Sequence, residues 1–346
     1  MRRTVLLLAT AIMAGTTIHA AAAQSRAEQI RERLDDANRW RGHVMVVAHR
    51  TGWKENGRTR FAEDSVAAIR HSVALGAEMV ELDVRKSADG ALVIVHDSWL
   101  NRTTTCTGEV AKTTLAELKR CHLVIEDTGE VTDETVPTLK DVLRAAKDDI
   151  LVNIDNKLGP EILPEIAREA REIGVSRQIV MKANLWNQER IDRFKRLMAR
   201  MDGGIVFMPI FADDAVGDAG FIRHATKAFS APAAELIDWH ADDEPVTRDG
   251  GALFSAKVRA AAIAGNWHIW ADTYAIVNKP DGMLSGGRGD AMALAEGNGD
   301  AVYGFWVDRG ATMIQTDEPK AAIAWLEKHG RRIPYDDEAP VLATRQ

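Results

Sequence analysis

The chain has little that would cross-link it, carry it onto nucleic acid or hold it in a membrane. Only two of its 346 residues are cysteines, Cys106 and Cys121. That excludes a fold stapled by several disulfides. In an oxidising compartment these two can pair, and two small buried thiols is the other reading. Positive charge is not in excess either. Lys and Arg number 44 against 51 Asp and Glu, for a net charge of -7. A nucleic-acid binder usually shows the opposite balance, although a local basic pocket survives in an acidic protein. Beyond the N-terminus no apolar run approaches the ~20 residues of a membrane span. No Gly-rich dinucleotide fingerprint follows the first candidate strand, which removes the best support for an open doubly wound sheet. Internal repeats and low-complexity tracts are missing as well.

What is present begins with a secretory signal. Arg2 and Arg3 precede an apolar run over 5–15, and Ala21, Ala22 and Ala23 form a small-residue cleavage site. Thr16, Thr17 and His19 cut the run too short for an anchor. Residues 1–23 are therefore expected to be removed, leaving a periplasmic or secreted protein with no stable membrane insertion. A polar, helix-patterned lead-in occupies 24–43 and is expected on the surface. Residues 333–346 read as a loosely held tail. The composition, 46% apolar and 27% charged, is that of an ordinary globular protein.

Between these ends, short apolar runs alternate with amphipathic ones. Strands are expected at 44–49, 79–84, 92–96, 150–156, 178–183, 204–210, 268–271 and 312–316, most of them bounded by Gly, Asp, Asn or Pro. Helical periodicity fills the gaps at 65–75, 139–146 and 320–328. Eight strands alternating with helices argue for a closed α/β barrel over 44–332. Two connections, 97–138 and 211–267, are long enough to carry function or small elements of their own.

The chemistry concentrates at strand ends. Glu81 and Asp83 lie two apart and share one face of their strand, while Val80, Leu82 and Val84 share the other. In a barrel the apolar set must face the helices, so both carboxylates face inward. A divalent cation of the oxygen-seeking kind, Mg²⁺ or Ca²⁺, would relieve their repulsion. A solvated face of an edge strand is the alternative. In the fourth expected strand Asn153, Asp155 and Lys157 share a face. Asp155 is a candidate third ligand. Lys157 is a candidate for holding a phosphate oxygen, for balancing the carboxylates, or for a plain buried ion pair. His49 and His96 close two apolar runs, at the ends where barrel strands converge on one mouth. Phosphodiester cleavage needs a base for the attacking oxygen and an acid for the leaving one, and His can do either near neutral pH. Arg50, next to His49, could stabilise phosphoryl charge.

These residues fall into an ordered pattern: AHRTG, AEDS (62–65), ELDV (81–84), ADG (88–90), VHDSWLNRTT (95–104), TGEV (107–110) and TTLAEL (113–118). It continues through VPTLKDVL (136–143), NIDNK (153–157), HIWADT (268–273) and GATMIQTDEP (310–319). The series resembles the glycerophosphodiester phosphodiesterases over nearly the whole mature chain, most strongly in its first half. The resemblance implies a TIM (β/α)8 barrel with a small insertion after the third strand, at 97–138, that caps the site. It implies metal-dependent hydrolysis of glycerophosphodiesters to an alcohol and glycerol 3-phosphate. It assigns His49 and His96 to acid–base catalysis, and Glu81, Asp83, Asp155 and Glu63 to one divalent cation, Ca²⁺ or Mg²⁺. Arg50 and Lys157 would contact the phosphate. Trp270 would wall the glycerol, or fill the barrel core. The implied partner is a small phosphodiester, not nucleic acid.

The chain departs from the pattern in places. Thr51 replaces the Gly of His-Arg-Gly, with Gly52 following; Ala62, Asp64 and Ser65 stand where Pro, Asn and Thr are usual; Asp155 is one methylene shorter than the common Glu. The stretch 53–61 adds positive charge beside the mouth, either to select a bulkier anion or as a solvated loop. On the same scaffold, a phospholipase or cyclising lyase acting on intact phospholipids is the alternative activity. A non-catalytic periplasmic binding protein would have lost a histidine or a carboxylate, and none is lost.

Overall fold

The computed structural model describes residues 24–336, apart from 202, 242–243 and 277–282. The expected signal over 1–23 and the tail beyond 336 lie outside the described residues. Eight parallel strands close on themselves: β1 Met45–Ala48, β2 Met79–Lys86, β3 Leu151–Asn156, β4 Ile179–Asn184, β5 Val206–Ala212, β6 Ala233–Ile237, β7 His268–Asp272 and β8 Ala311–Thr316. Each pairs with the next, and closure comes from β1, which pairs with β8 at Met45↔Met313 and with β2 at Val47↔Met79. The expected (β/α)8 barrel is therefore what the chain forms.

The two-residue period of the strands sorts the side chains. Val80, Leu82, Val84, Val152, Ile154, Ile179 and Met181 point outward into one continuous core beneath the helices. That shell includes α2 Val66–Leu75, α3 Leu139–Ala146 and α4 Leu163–Ile173. Ser65 caps α2 by accepting from the Ala68 N–H, and Thr138 and Asp141 form a reciprocal capping box on α3.

The lumen holds two zones. At the N-terminal end Met45, Val47, Met79, Leu151, Val180, Met208, Trp270 and Met313 make an apolar plug with Ile30, Leu34 and Tyr335. Ile30 and Leu34 come from α1 Arg26–Asp35. The lead-in is thus not a surface helix: its few apolar residues close the barrel floor. The first residues of the expected loose tail are likewise held, since Ile333 N–H donates to His43 Nδ1 at 2.9 Å and Tyr335 is buried.

Two strand expectations need correction. Leu92–Ile94 is not a barrel strand; it runs antiparallel to the overhanging end of β2, with Val84↔Ile94 and Lys86↔Leu92 in register. The sixth strand is Ala233–Ile237, inside the expected long connection 211–267. Its sequence AAELI has too little β-branched character to stand out. The insertion at 97–138 does follow the Leu92–Ile94 strand. It contains a hairpin, His122–Ile125 with Glu130–Thr135, and packs Leu100, Val110, Leu118, Leu123 and Val136 with Val93 and Val95 of the preceding segment into a small separate core. Cys106 and Cys121 are disulfide-bonded within it, with Cα atoms 5.3 Å apart, which decides between the two readings of that pair.

Candidate active site

The mouth end of the lumen is polar and charged. Glu81, Asp83 and Asp155 bring one oxygen each within 4.8 Å of one another. The register makes this inevitable, because Asp83 on β2 lies directly beside Asp155 on β3. Glu81 and Asp83 are buried, whereas a third of the Asp155 side chain remains exposed. Burial, reinforced by the charge of Asp83, pushes Glu81 up to about 8. Lys157 holds Asp83 well below the usual carboxylate range against its burial, donating to Asp83 Oδ1 at 2.9 Å and to Asp155 Oδ2 at 2.7 Å. Asp83 Oδ2 is buried with no hydrogen-bond donor among the described residues. Among these carboxylates Lys157 bonds only Asp83 and Asp155, and the Arg50 guanidinium stays 3.9 Å from Asp83 Oδ2. Three hard oxygens, one of them orphaned, fit a divalent cation.

His49 follows β1 in a tight 3₁₀ turn, His49–Thr51. Its Nδ1 lies 2.8 Å from Asp317 Oδ1, at the end of β8, and its ring stacks on Tyr274 at 3.7 Å. Asp317 as acceptor puts the proton on Nδ1 and leaves Nε2 as an acceptor on the triad side, 3.9 Å from Glu81 Oε2. Burial lowers the pKa of His49 despite the Asp317 charge. The turn is strained. Arg50 and Thr51 adopt φ of 44° and 70°, in the left-handed region. Thr51 tolerates it where a Gly would be at ease, with its Oγ1 bonded to the Arg50 carbonyl at 2.6 Å. Gly52, at φ 91°, cannot be replaced, since a Cβ there would lie 2.2 Å from Ser72 Oγ. Strain in this turn aims the Arg50 N–H at Glu81 Oε2, 3.1 Å away.

His96 sits on the opposite wall. Its Nδ1 is 2.7 Å from Asp97 Oδ1, and Asp97 is gripped in turn by Arg102 at 2.8 and 3.0 Å. Hydrogen bonding from His96, then from Arg102, holds Asp97 well below its ordinary value. A cleft of about 540 Å³ joins the two walls and exposes His49, His96, Arg50, Arg102, Trp53, Lys54 and Asp317.

Most of the expected site residues converge here, but two are placed differently. Glu63, expected among the ligands, lies instead between two arginines. Arg50 donates to it at 2.7 Å, and Arg102 donates at 2.6 and 2.9 Å. Trp270 is fully buried in the floor plug, with its Nε1 donating to Asp272 at 3.0 Å, so it walls no substrate. Tyr274 and Trp53 supply the aromatic surfaces near His49. Sequence reasoning also missed Asp317, Arg102 and the buried Lys182–Glu235 pair at 3.2 Å. Asp317 and Arg102 lay within quoted motifs, and the rule that strand ends carry function could have singled out Asp317.

Comparisons with known proteins agree with this geometry. Residues 49–215 match the sequence model of the Glycerophosphoryl diester phosphodiesterase family, and 207–326 match a domain of unknown function. A glycerophosphodiester phosphodiesterase of Caldanaerobacter subterraneus is 30% identical over 169 residues, 47% of this chain and 67% of that one. One from Bacillus altitudinis is 36% identical over 134 residues, 37% of this chain and 51% of that one. The chain therefore spans between about half and two thirds of these relatives. In fold it resembles a glycerophosphoryl diester phosphodiesterase from Parabacteroides distasonis, with a TM-score of 0.63 at 16% identity, covering 90% of this chain and 94% of that one. It also resembles an Oleispira antarctica phosphodiesterase solved with sn-glycerol-3-phosphate, with a TM-score of 0.52 at 18% identity, covering 82% and 96%.

Proposed function

The chain belongs to the glycerophosphoryl diester phosphodiesterase family, and from that premise we propose that it hydrolyses glycerophosphodiesters to an alcohol and glycerol 3-phosphate with one divalent cation, Ca²⁺ or Mg²⁺, in the periplasm or outside the cell. The observation that carries the reading is that two aspartate-backed histidines line one cleft, His49 lying beside a largely buried three-carboxylate cluster.

Glu81, Asp83 and Asp155 hold the cation, which when bound supplies Lewis-acid stabilisation of phosphoryl charge. His49, kept neutral by burial, accepts the proton of the attacking oxygen on Nε2. His96, backed by the Asp97 carboxylate, donates a proton to the departing alkoxide. Arg50 and Lys157 face the phosphoryl oxygens, and Glu63 holds the Arg50 guanidinium toward the cleft. The attacking oxygen belongs to water, or to a glycerol hydroxyl in a two-step route through a cyclic ester that water then opens. The cap lines one side of the cleft with Asp97, Arg102, Glu126 and Asp127.

The test is product analysis with glycerophosphocholine and lysophosphatidylcholine side by side. Glycerol 3-phosphate from the first substrate supports the reading. A cyclic phosphate as the end product, or turnover of the lipid alone, replaces it with a lyase or a phospholipase.

A further inference from the structure

The segment 273–310 connects β7 to β8. Its described part contains short helical pieces, Asp290–Leu294 and Phe305–Asp308. This stretch falls inside the match to a domain of unknown function. Among its described residues the one buried carboxylate, Asp290, stands at a junction of three elements. Asp290 Oδ1 accepts from Thr273 Oγ1 at 2.8 Å, Thr316 Oγ1 at 2.7 Å and Tyr303 OH at 3.3 Å. Its Oδ2 accepts from the Asp317 N–H at 2.9 Å. Its own N–H donates to the Thr273 carbonyl at 2.7 Å.

Both supports of His49 hang from this point. Asp317, whose backbone Asp290 fixes, holds the ring in its plane through Nδ1. Tyr274, next to the Thr273 that Asp290 binds twice, stacks on the ring face. We propose that Asp290 is the positioning residue for His49, fixing the in-plane partner and the stacking partner together, and that this is what the 273–310 segment contributes to the site. The proposal rests on the reading of His49 as a proton-transfer group. A buried carboxylate is a costly way merely to pack a short helix, where an apolar side chain would serve. It is an effective way to hold four donors in fixed directions, and misplacing a proton-transfer group by an ångström slows the reaction steeply. Burial and the charge of Asp317 push Asp290 up to about 7, so an uncharged amide resembles one of its two ordinary states.

The test compares Asp290→Ala and Asp290→Asn in the mature chain. One readout is the ¹⁵N-edited signal of the His49 Nδ1–H; the other is kcat and KM on glycerophosphocholine. Asp290→Ala should erase or broaden the ring signal and lower kcat by about 10- to 100-fold, as loss of an outer-shell support does, with KM changed by less than about twofold. Asp290→Asn should restore both. If Asp290→Ala does not fold, Thr316→Val removes one donor, keeps the carboxylate and should shift the same signal. An unchanged ring signal in the folded variant overturns the proposal, whatever happens to kcat. A wild-type protein without turnover on glycerophosphocholine would sink the functional reading, while the ring signal would still decide the positioning.

Discussion

The two histidines face one cleft but are held by opposite strategies. His49 is buried and tied to Asp317, a residue 268 positions away in sequence, so its orientation depends on barrel closure between β1 and β8. His96 is tied to its immediate neighbour Asp97, and that pair depends on Arg102, which belongs to the cap. One wall of the site is therefore a property of the barrel, and the other a property of the insertion. The difference separates an orientation that needs strand closure and the 273–310 segment from one that needs the cap alone.

This contrast can be attacked from both sides. The largest effect is expected from His49→Ala, which should reduce kcat by about 10²–10⁴-fold in steady-state assays. A smaller loss would mean that the barrel wall does not carry the proton transfer. Next comes Arg102→Ala, which frees Asp97 and one side of Glu63 and should cost about tenfold in kcat without disturbing the His49 ring signal. If it moved that signal, the two walls would not be independent. Removing the cap disulfide with Cys106→Ser and Cys121→Ser should destabilise the cap by about 3 kcal/mol, given the 15-residue separation it closes, measured by hydrogen exchange over 97–138. The barrel strands should keep their protection. The smallest effect concerns the floor. His268, buried against Thr312 and the Arg33 carbonyl, is lowered to about 4 by burial. Its folded pKa lies below the ordinary value of about 6.5, so the unfolded chain binds the proton first. Stability should then fall as pH drops from about 6.5 toward 4, lowering Tm by several degrees, and His268→Gln should flatten part of that slope.

The sequence made the His49–Asp83 half of the site readable because local spacing dictates it. Two carboxylates two residues apart on a strand with apolar alternates share one face, which is the lumen once the strand is in a barrel, and Asp155 follows from the same alternation on the next barrel strand. What stayed hidden depends on contacts between distant segments. Asp317 and Tyr274 meet His49 only when the barrel closes. The family resemblance alone assigns Glu63 to the metal, but Arg50 and the arginine of the cap claim it. Trp270 was ambiguous because inward strand positions differ in depth, and sequence does not say whether an inward residue lies at the mouth or on the floor. In the fold, β6 was lost for lack of β-branched residues, while Leu92–Ile94, rich in them, pairs outside the barrel.

The central claim is that a cation held by Glu81, Asp83 and Asp155 serves the two histidines in cutting a glycerophosphodiester. Its most direct test is glycerol 3-phosphate release from glycerophosphocholine by metal-stripped mature protein, before and after Mg²⁺ or Ca²⁺ is returned, with Glu81→Gln alongside. The account predicts no release without metal, recovery with one of the two ions, and little recovery in Glu81→Gln. Full turnover in the stripped protein, or equal recovery by the variant, would contradict it.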